Sequence, residues 1–259
     1  MIFPSRNNMV KYNNIVNRLG NKETDMKHFK HLLPLDVKTV AEPFSGSFAV
    51  IKHFYKDWDR YSFHINDTDE TLFYAFQHYK HIQDVIYELN KIYNEDFDMR
   101  KRDFRKFFDT LELTPHVKEH IRKTHFVRGQ LWRCPKDPRN YNPVEASILE
   151  NAIITNWDYK DMFEVYKDDE DAFLFLDPPY LYSDNSNNAS QIRETDMTQI
   201  VVDILEYLRV RKCKVMLVIN KLNILSYLFS DYIKGEYEKI YQLSKKKAIH
   251  LIICNYDIE

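Results

Sequence analysis

The sequence predicts an α/β fold on a largely parallel sheet, with a helical insertion between its two halves. Two observations carry that expectation. Short apolar runs alternate with helix-period stretches at both ends of the chain, the pattern of parallel strands joined by crossover helices. Between them, from Glu70 to about Thr124, the apolar residues fall at helical spacing only. The length, 259 residues, suits one large domain or a core that carries one sizeable insertion.

Taken in order, residues 21–33 read as a helix, with Met26, Phe29, Leu32 and Leu33 on one stripe and Pro34 just past its end. Residues 37–41 form a short strand, 43–47 a turn, and 48–54 the start of a helix. Residues 60–65 alternate as a strand (Tyr61, Phe63, Ile65) and stop at Asn66-Asp67. Phe73, Phe76, Ile82, Val85, Ile86, Leu89 and Ile92 supply the stripes of the helical stretch. Gly129, Pro135, Pro138 and Pro143 mark a loop over 127–143. A strand over 152–155 follows, and the acidic residues 168–171 lead into a strand over 172–176. A helix over 195–208, a strand over 214–219, a helix over 221–229 and a last strand over 249–255 complete the pass. There is no internal repeat and no low-complexity tract.

Hydrophobic residues make up 44% of the chain and aromatics 15%, which excludes a disordered protein. No apolar run approaches the ~20 residues that a membrane span needs, so no membrane partner is expected. Cys134, Cys213 and Cys254 show no C-x-x-C spacing, so neither a disulfide frame nor a zinc site is indicated. His116, His120 and His125 lack a matching cysteine or acid, and no metal is expected. Met1-Ile2-Phe3-Pro4 does not read as a signal peptide, and the expected setting is intracellular. The net charge of −2 hides an asymmetry. Residues 100–140 hold twelve Lys/Arg against five acids, so the rest of the chain carries −9. One subregion therefore presents a basic face, as phosphate contact requires, or a solvated helical surface.

The most informative stretch is Asp177-Pro178-Pro179-Tyr180, which ends the apolar run 174–176. A carboxylate there can accept a hydrogen bond from an exocyclic amine. The two prolines fix φ and withhold two N–H donors, leaving nearby carbonyls to accept a second amine hydrogen. The tyrosine offers a π-face for a planar ring. The bland reading is a strand-end turn with a buried tyrosine. Ligands of parallel sheets bind beyond the C-terminal strand ends, and three other ends here are polar. Glu42-Pro43-Phe44-Ser45-Gly46-Ser47 brings backbone close to a ligand at Gly46 and opens a helix. Asp67 sits where an acid accepts ribose hydroxyls, or where it caps a helix. Asp158, with Trp157 and Tyr159 beside it, would accept an adenine amine, or is a surface turn residue.

Gly20-Asn21-Lys22, Glu42–Ser47, Asn66-Asp67, Asp158-Tyr159, Asp177–Tyr180 and Ile253-Cys254-Asn255-Tyr256 together resemble, in order and over nearly the whole chain, the Dam-type (D12-class) DNA adenine-N6 methyltransferases. The resemblance implies a Rossmann-like core dependent on S-adenosylmethionine (SAM), with S-adenosylhomocysteine as product. The core would span residues 1–69 and 146–259, and a mostly helical, hairpin-bearing target-recognition insertion 70–145. It further implies that Asn21, Lys22 and Glu42, Pro43, Phe44, Ser45, Gly46, Ser47 surround the methionine part of the donor. Asp67 would take the ribose and Asp158 and Tyr159 the adenine, with Asp177 at the junction of donor and target. Asp177, Pro178, Pro179 and Tyr180 would hold the flipped target base. The partner would be double-stranded DNA, met by a monomer or homodimer, in restriction–modification, regulation or genome marking. Arg122, Lys123, Arg128, Gln130 and Arg133 are the expected DNA contacts, because arginine and glutamine read guanine and adenine edges.

Two features depart from the family pattern. The family's first motif carries two or three glycines, whereas Gly46 is here followed by Ser47-Phe48, and Phe48 either crowds the donor or points into the core. The segment 125–143 keeps basic and aromatic character but matches the family's recognition hairpin poorly. Other readings are a relative without activity that binds SAM or nucleic acid, and amino methylation of cytosine, RNA or protein glutamine. A nuclease reading leaves Pro-Pro-Tyr unexplained. Residues 185–191 are polar, fitting a loop over the flipped base or a plain surface loop.

Overall fold

The computed structural model describes residue 15 and residues 22–95, 104–127, 130–131, 142–179, 194–240 and 247–258. The chain divides into two compact units, Met1–Arg18 with Glu70–Asn151 and Leu19–Asp69 with Ala152–Glu259. The first unit extends to residue 151 rather than 145 because Pro143–Asn151 is one continuous helix. Its Glu150 accepts from Tyr79 at 3.0 Å and Lys80 at 2.8 Å. At its start, Glu145 accepts the Ile15 N–H.

The second unit is a seven-stranded sheet. Its strands are β1 (Thr39–Glu42), β2 (Ser62–Asn66), β5 (Ile153–Thr155), β6 (Ala172–Leu176), β7 (Lys214–Asn220), β8 (Ile233–Ile240) and β9 (Lys247–Cys254). The order is β5-β2-β1-β6-β7-β9-β8. The first five are parallel, and β9 runs antiparallel to both β7 and β8. The order reverses between β1 and β6, the switch point where such sheets bind ligands. This is the Rossmann-like arrangement expected for a methyltransferase core.

Every residue of β6, Ala-Phe-Leu-Phe-Leu, is buried, as befits a central parallel strand covered on both faces. On one face Leu174 and Leu176 join Val215, Leu217, Ile219, Leu251 and Ile253. The helices Tyr159–Tyr166, Glu194–Val210 and Asn223–Leu228 cover them with Met162, Phe163, Ile200, Ile204 and Leu225. On the other face Phe175 stacks on Phe29 at 5.6 Å and Phe173 meets Phe54 at 5.9 Å. Each such side chain contributes about 1.5–3 kcal/mol on burial. The alternation puts Asp177, two residues past Phe175, on the Phe29 face.

The predicted helix over 21–33 is broken into a 3-10 turn Lys22–Thr24, one α-turn Met26–Phe29 and a 3-10 turn Lys30–Leu32. Asp25 stands at the cap position but makes no capping bond, because its carboxylate is taken by β8, and Phe29 leaves helical dihedrals at φ −135°. The strand β8 and the helix Tyr159–Tyr166 are absent from the sequence reading. β8 alternates half-buried with charged, exposed residues, so it shows no apolar run.

In the first unit the helices Glu70–Gln77, Tyr79–Glu95, Phe104–Thr110 and Pro115–His125 enclose a small core. Ile82, Ile86 and Leu89 stand one helical turn apart and meet Phe104, Phe108, Val117 and Ile121. A short antiparallel hairpin follows, β3 (Phe126–Val127) against β4 (Gln130–Leu131).

Candidate active site

The turn after β1 begins with a carboxyl that has left solvent. Glu42 is 2% exposed, and its Oε1 accepts the Ile51 N–H at 2.7 Å. That N–H is one of the orphan donors at the start of the helix Ala49–Phe54. The residue at the cap, Phe48, has no side-chain acceptor and adopts the left-handed region at φ 42°. Glu42 thus does from the strand what a capping serine does locally. The left-handed conformation costs a side chain roughly 1–2 kcal/mol. Phe48 is wholly buried, which offsets that cost and answers the sequence question: the ring enters the core. Burial pushes the Glu42 carboxyl up to about 8, against the pull of the Ile51 N–H and the Lys52 charge.

Gly46, at φ 51°, has no atom within 4 Å of where a Cβ would stand, so the turn opens on space. The buried Ser45 Oγ meets no partner among the described residues. Gly46 donates its N–H to Asp67 Oδ2 at 3.0 Å, and Asp67 Oδ1 accepts the Asp69 N–H at 3.0 Å. Phe44 is half-buried and leans on Tyr159, with ring centroids 5.3 Å apart. Tyr159 donates to Asp203 at 2.5 Å. Asp158 is exposed and caps the helix Tyr159–Tyr166, accepting the Lys160 N–H at 2.9 Å. It is therefore a capping residue as well as an adenine candidate.

A residue outside the expected set holds these strand ends together. Asn66 is wholly buried and uses its full capacity. Its Nδ2 donates to the Pro43 and Trp157 carbonyls at 3.0 and 3.1 Å. Its Oδ1 accepts from the Thr155 hydroxyl at 2.7 Å and the Trp157 N–H at 2.8 Å. Because Thr155 spends its proton on Asn66, it can only accept from His64 Nε2 at 2.9 Å. His64 Nδ1 then accepts from the Tyr166 hydroxyl at 2.9 Å. Burial drops His64 to about 4, which fits this neutral tautomer.

Beyond β6 the chemistry changes from neutral to charged. Asp177 forms an ion pair with Lys22 at 2.6 Å; the lysine side chain is 5% exposed and the aspartate 22%. Burial pushes the Asp177 carboxyl above the ordinary carboxylate range, while the Lys22 ammonium, and Lys239 farther off, pull it back. Pro178 is buried and Pro179 half-buried, and neither has an N–H to compete for an acceptor. Asn220 ends β7 on the Asp177 face, and its buried Oδ1 meets no donor among the described residues. Asn220 pairs with His250 on β9, which pairs with Tyr237 on β8. Tyr237 and Lys239 both reach Asp25, at 3.2 and 2.6 Å.

The structure thus gathers Lys22, Glu42, Pro43, Phe44, Ser45, Gly46, Ser47, Asp67, Asp158, Tyr159, Asp177, Pro178 and Pro179 at one edge of one sheet. Lys22 stands on Asp177. Tyr180, Asn21, Arg128, Arg133 and the polar loop 185–191 lie outside the described residues, as does the side chain of Gln130. Arg122 pairs with Asp109 at 2.7 Å and Lys123 with Glu119 at 3.6 Å. Sequence reasoning missed Asn66 as a framework, Asn220, and the Asp25–Lys239 pair. Among the described residues no group of His, Cys, Asp and Glu is arranged to hold a metal ion, and no helix is long and apolar enough to cross a membrane.

A family model described as D12 class N6 adenine-specific DNA methyltransferase matches residues 19–134 and 135–249. The chain is 24% identical over 281 residues to "Type II methyltransferase M.CviBI" of Paramecium bursaria Chlorella virus NC1A. That alignment covers 93% of this chain and 99% of the relative. Among solved structures, the "delta-N METTL16 MTase domain" is similar with a TM-score of 0.40 at 9% identity, over 91% of this chain and 82% of that one.

Proposed function

We propose, from the premise that the chain belongs to the D12 class of N6 adenine-specific DNA methyltransferases, that it methylates the N6 amine of an adenine rotated out of duplex DNA, with SAM as donor. The observation that carries this reading is Asp177. It is a largely buried carboxylate at the switch point of a parallel sheet, fixed by Lys22 and followed by two residues without N–H groups.

The residues beside β1 and β2 fit the donor. Gly46 opens on space that a side chain would fill, and Ser45 Oγ is a buried hydroxyl awaiting a partner. Ser47, Glu42, Pro43 and Phe44 complete the turn, and Asn21 and Lys22 are the proposed donor contacts from the segment that precedes it. The Asp67 carboxylate would take ribose hydroxyls, and Asp158 with Tyr159 and Phe44 the adenine. SAM supplies an activated methyl group on a sulfonium, so the chain need provide neither a covalent nucleophile nor a strong base.

The chain's own work falls on the target amine, whose lone pair is delocalised into the ring. Asp177 and the Pro178 carbonyl accept its two hydrogens, draw it toward tetrahedral geometry and stabilise the positive charge that develops on nitrogen. This is preorganised electrostatic stabilisation. Rotation of the nucleotide costs a few kcal/mol. Stacking on Tyr180 offsets about 1–3 kcal/mol, and phosphate contacts from the basic stretch contribute the rest. Arg122, Lys123, Arg128, Gln130 and Arg133 are the proposed DNA contacts of a monomer or homodimer.

Incubation with methyl-labelled SAM and mixed-sequence duplex DNA, followed by nucleoside digestion, tests the reading. N6-methyladenine is expected. SAM binding without a labelled nucleoside would move the substrate to RNA or protein, and N4-methylcytosine would move it to cytosine. Donor binding is read separately by thermal unfolding, since SAM at 100 times its Kd stabilises by about 2.7 kcal/mol.

A further inference from the structure

Lys22 forms an ion pair with Asp177, yet it belongs to a single three-residue 3-10 turn, too short to hold a long side chain by itself. The turn is anchored through Asp25. The Asp25 N–H closes it by donating to the Lys22 carbonyl at 2.9 Å. The Asp25 carboxylate leaves the turn altogether and accepts from Lys239 Nζ at 2.6 Å and Tyr237 Oη at 3.2 Å, both on β8. The side chains of Asp25 and Lys239 are 6% and 12% exposed. Tyr237 is clamped in turn, stacked on His28 at 4.5 Å and on His250 at 5.2 Å. The far edge strand of the sheet therefore fixes the backbone from which Lys22 reaches Asp177.

We propose that Asp25 is a positioning residue: by tying the Lys22 turn to Lys239 and Tyr237 of β8, it holds the Lys22 ammonium on Asp177 and so keeps that carboxylate oriented and ionised for the target amine. The proposal rests on the reading of Asp177 as the acceptor of that amine. A buried ion pair adds little net stability against its desolvation cost, whereas two pairs in alternating sign, Lys22–Asp177 and Asp25–Lys239, define one geometry for all four groups. Among the described residues, the charged or titratable groups beside them include Glu42 on β1, His250 on β9 and His28, stacked on Tyr237.

The sign of one effect separates positioning from simple proximity. Asp25→Asn removes a negative charge near Asp177. Acting through space alone, that change favours the Asp177 carboxylate and lowers its titration midpoint. If Asp25 holds Lys22 in place, the variant loosens the ammonium and the midpoint rises instead. The measurement is a pH titration of the Asp177 carboxyl carbon by NMR on the whole protein labelled with 13C-aspartate, assigned with Asp177→Asn. We expect the midpoint to rise in Asp25→Asn and, by less, in Tyr237→Phe, which removes one anchor and no charge. Lys239→Arg, which keeps the positive charge on Asp25, leaves the midpoint at its wild-type position. The acid limb of kcat moves up with the midpoint, kcat falls about tenfold or more, and the Kd for SAM stays within about twofold. A midpoint that falls or stays in both variants overturns the proposal, as does a loss of stability with kcat and its pH profile unchanged. The titration needs no turnover, so a wild-type protein that forms no N6-methyladenine defeats the functional reading without deciding this one. Should Asp25→Asn fail to fold, Tyr237→Phe gives the answer alone.

Discussion

The two halves of the sheet's C-terminal edge solve the same problem with opposite chemistry. On the β5–β2–β1 side, strand ends are joined by a neutral amide that satisfies all of its hydrogen bonds, next to a histidine kept neutral by burial. On the β6–β7–β9–β8 side, alignment comes from buried ions, Lys22 on Asp177 and Lys239 on Asp25. A neutral frame holds its shape across a wide pH range, which would suit the proposed task of that surface, to receive a cofactor. A charged frame is costly to bury and sensitive to protonation, but it can set the state of a reacting group.

The contrast is broken most severely at Asp177. Asp177→Ala should lose at least about a hundredfold in methyl-transfer rate, in line with the ~10²–10³ of a lost preorganised group, while SAM binding measured by calorimetry survives. Near-normal turnover would falsify the assignment. On the neutral side, Asn66→Ala abolishes four hydrogen bonds at once and leaves two carbonyls and a backbone N–H unpaired. Denaturant unfolding should show a loss of about 2–4 kcal/mol together with weaker SAM binding. An unchanged midpoint would mean that water replaces the amide.

The third test uses pH. Glu42 is raised from 4.5 to about 8, so the folded state holds a proton that the unfolded chain has released. Its stabilising effect is complete below about pH 4.5 and is lost as pH rises through 8, at roughly 1.4 kcal/mol per pH unit in that window. Asp177, also raised, acts in the same sense. His64 and His250 are lowered, to about 4 and about 3, and their stabilisation grows as pH rises to 6.5. Between pH 6.5 and 8 they no longer oppose Glu42. Urea unfolding should therefore fall by about 2 kcal/mol over that interval in the wild type, and Glu42→Gln should flatten the fall. Equal slopes in both proteins would place the proton elsewhere. The smallest effect is expected at Asp158: Asp158→Ala removes an exposed helix cap worth about 1 kcal/mol, readable as a modest drop in Tm. A larger loss in SAM affinity than in stability would sharpen its adenine role.

Much of the fold was legible because it is local. β1, β2, β6 and β7 are apolar runs ended by polar residues, and the alternation of one run places Asp177 on a face. The illegible parts depend on distance along the chain. Asp25 and Lys239 are separated by 214 positions and pair only after the sheet has formed. Asn66 read only as the polar end of a strand, because the three residues that take its four hydrogen bonds lie 23 to 91 positions away. β8 escaped notice because three of its eight residues, Lys234, Glu236 and Glu238, are charged and exposed, which breaks any apolar run. Phe48 was legible as a departure from the family pattern, but not its outcome, since only packing reveals that the ring is wholly buried.

β8 is also a border. Among the described residues it pairs with β9 alone, which leaves one side of its backbone without a strand neighbour there. A bare strand edge is a template on which another copy of a chain can stack. Lys234, Glu236 and Glu238 are exposed along it, with Glu236 paired to Lys221 and Glu238 to Lys247. An incoming strand would have to lay its own side chains among these ions and strip them of water. The same residues that hide the strand from sequence inspection thereby guard the protein against sheet-to-sheet aggregation at high concentration.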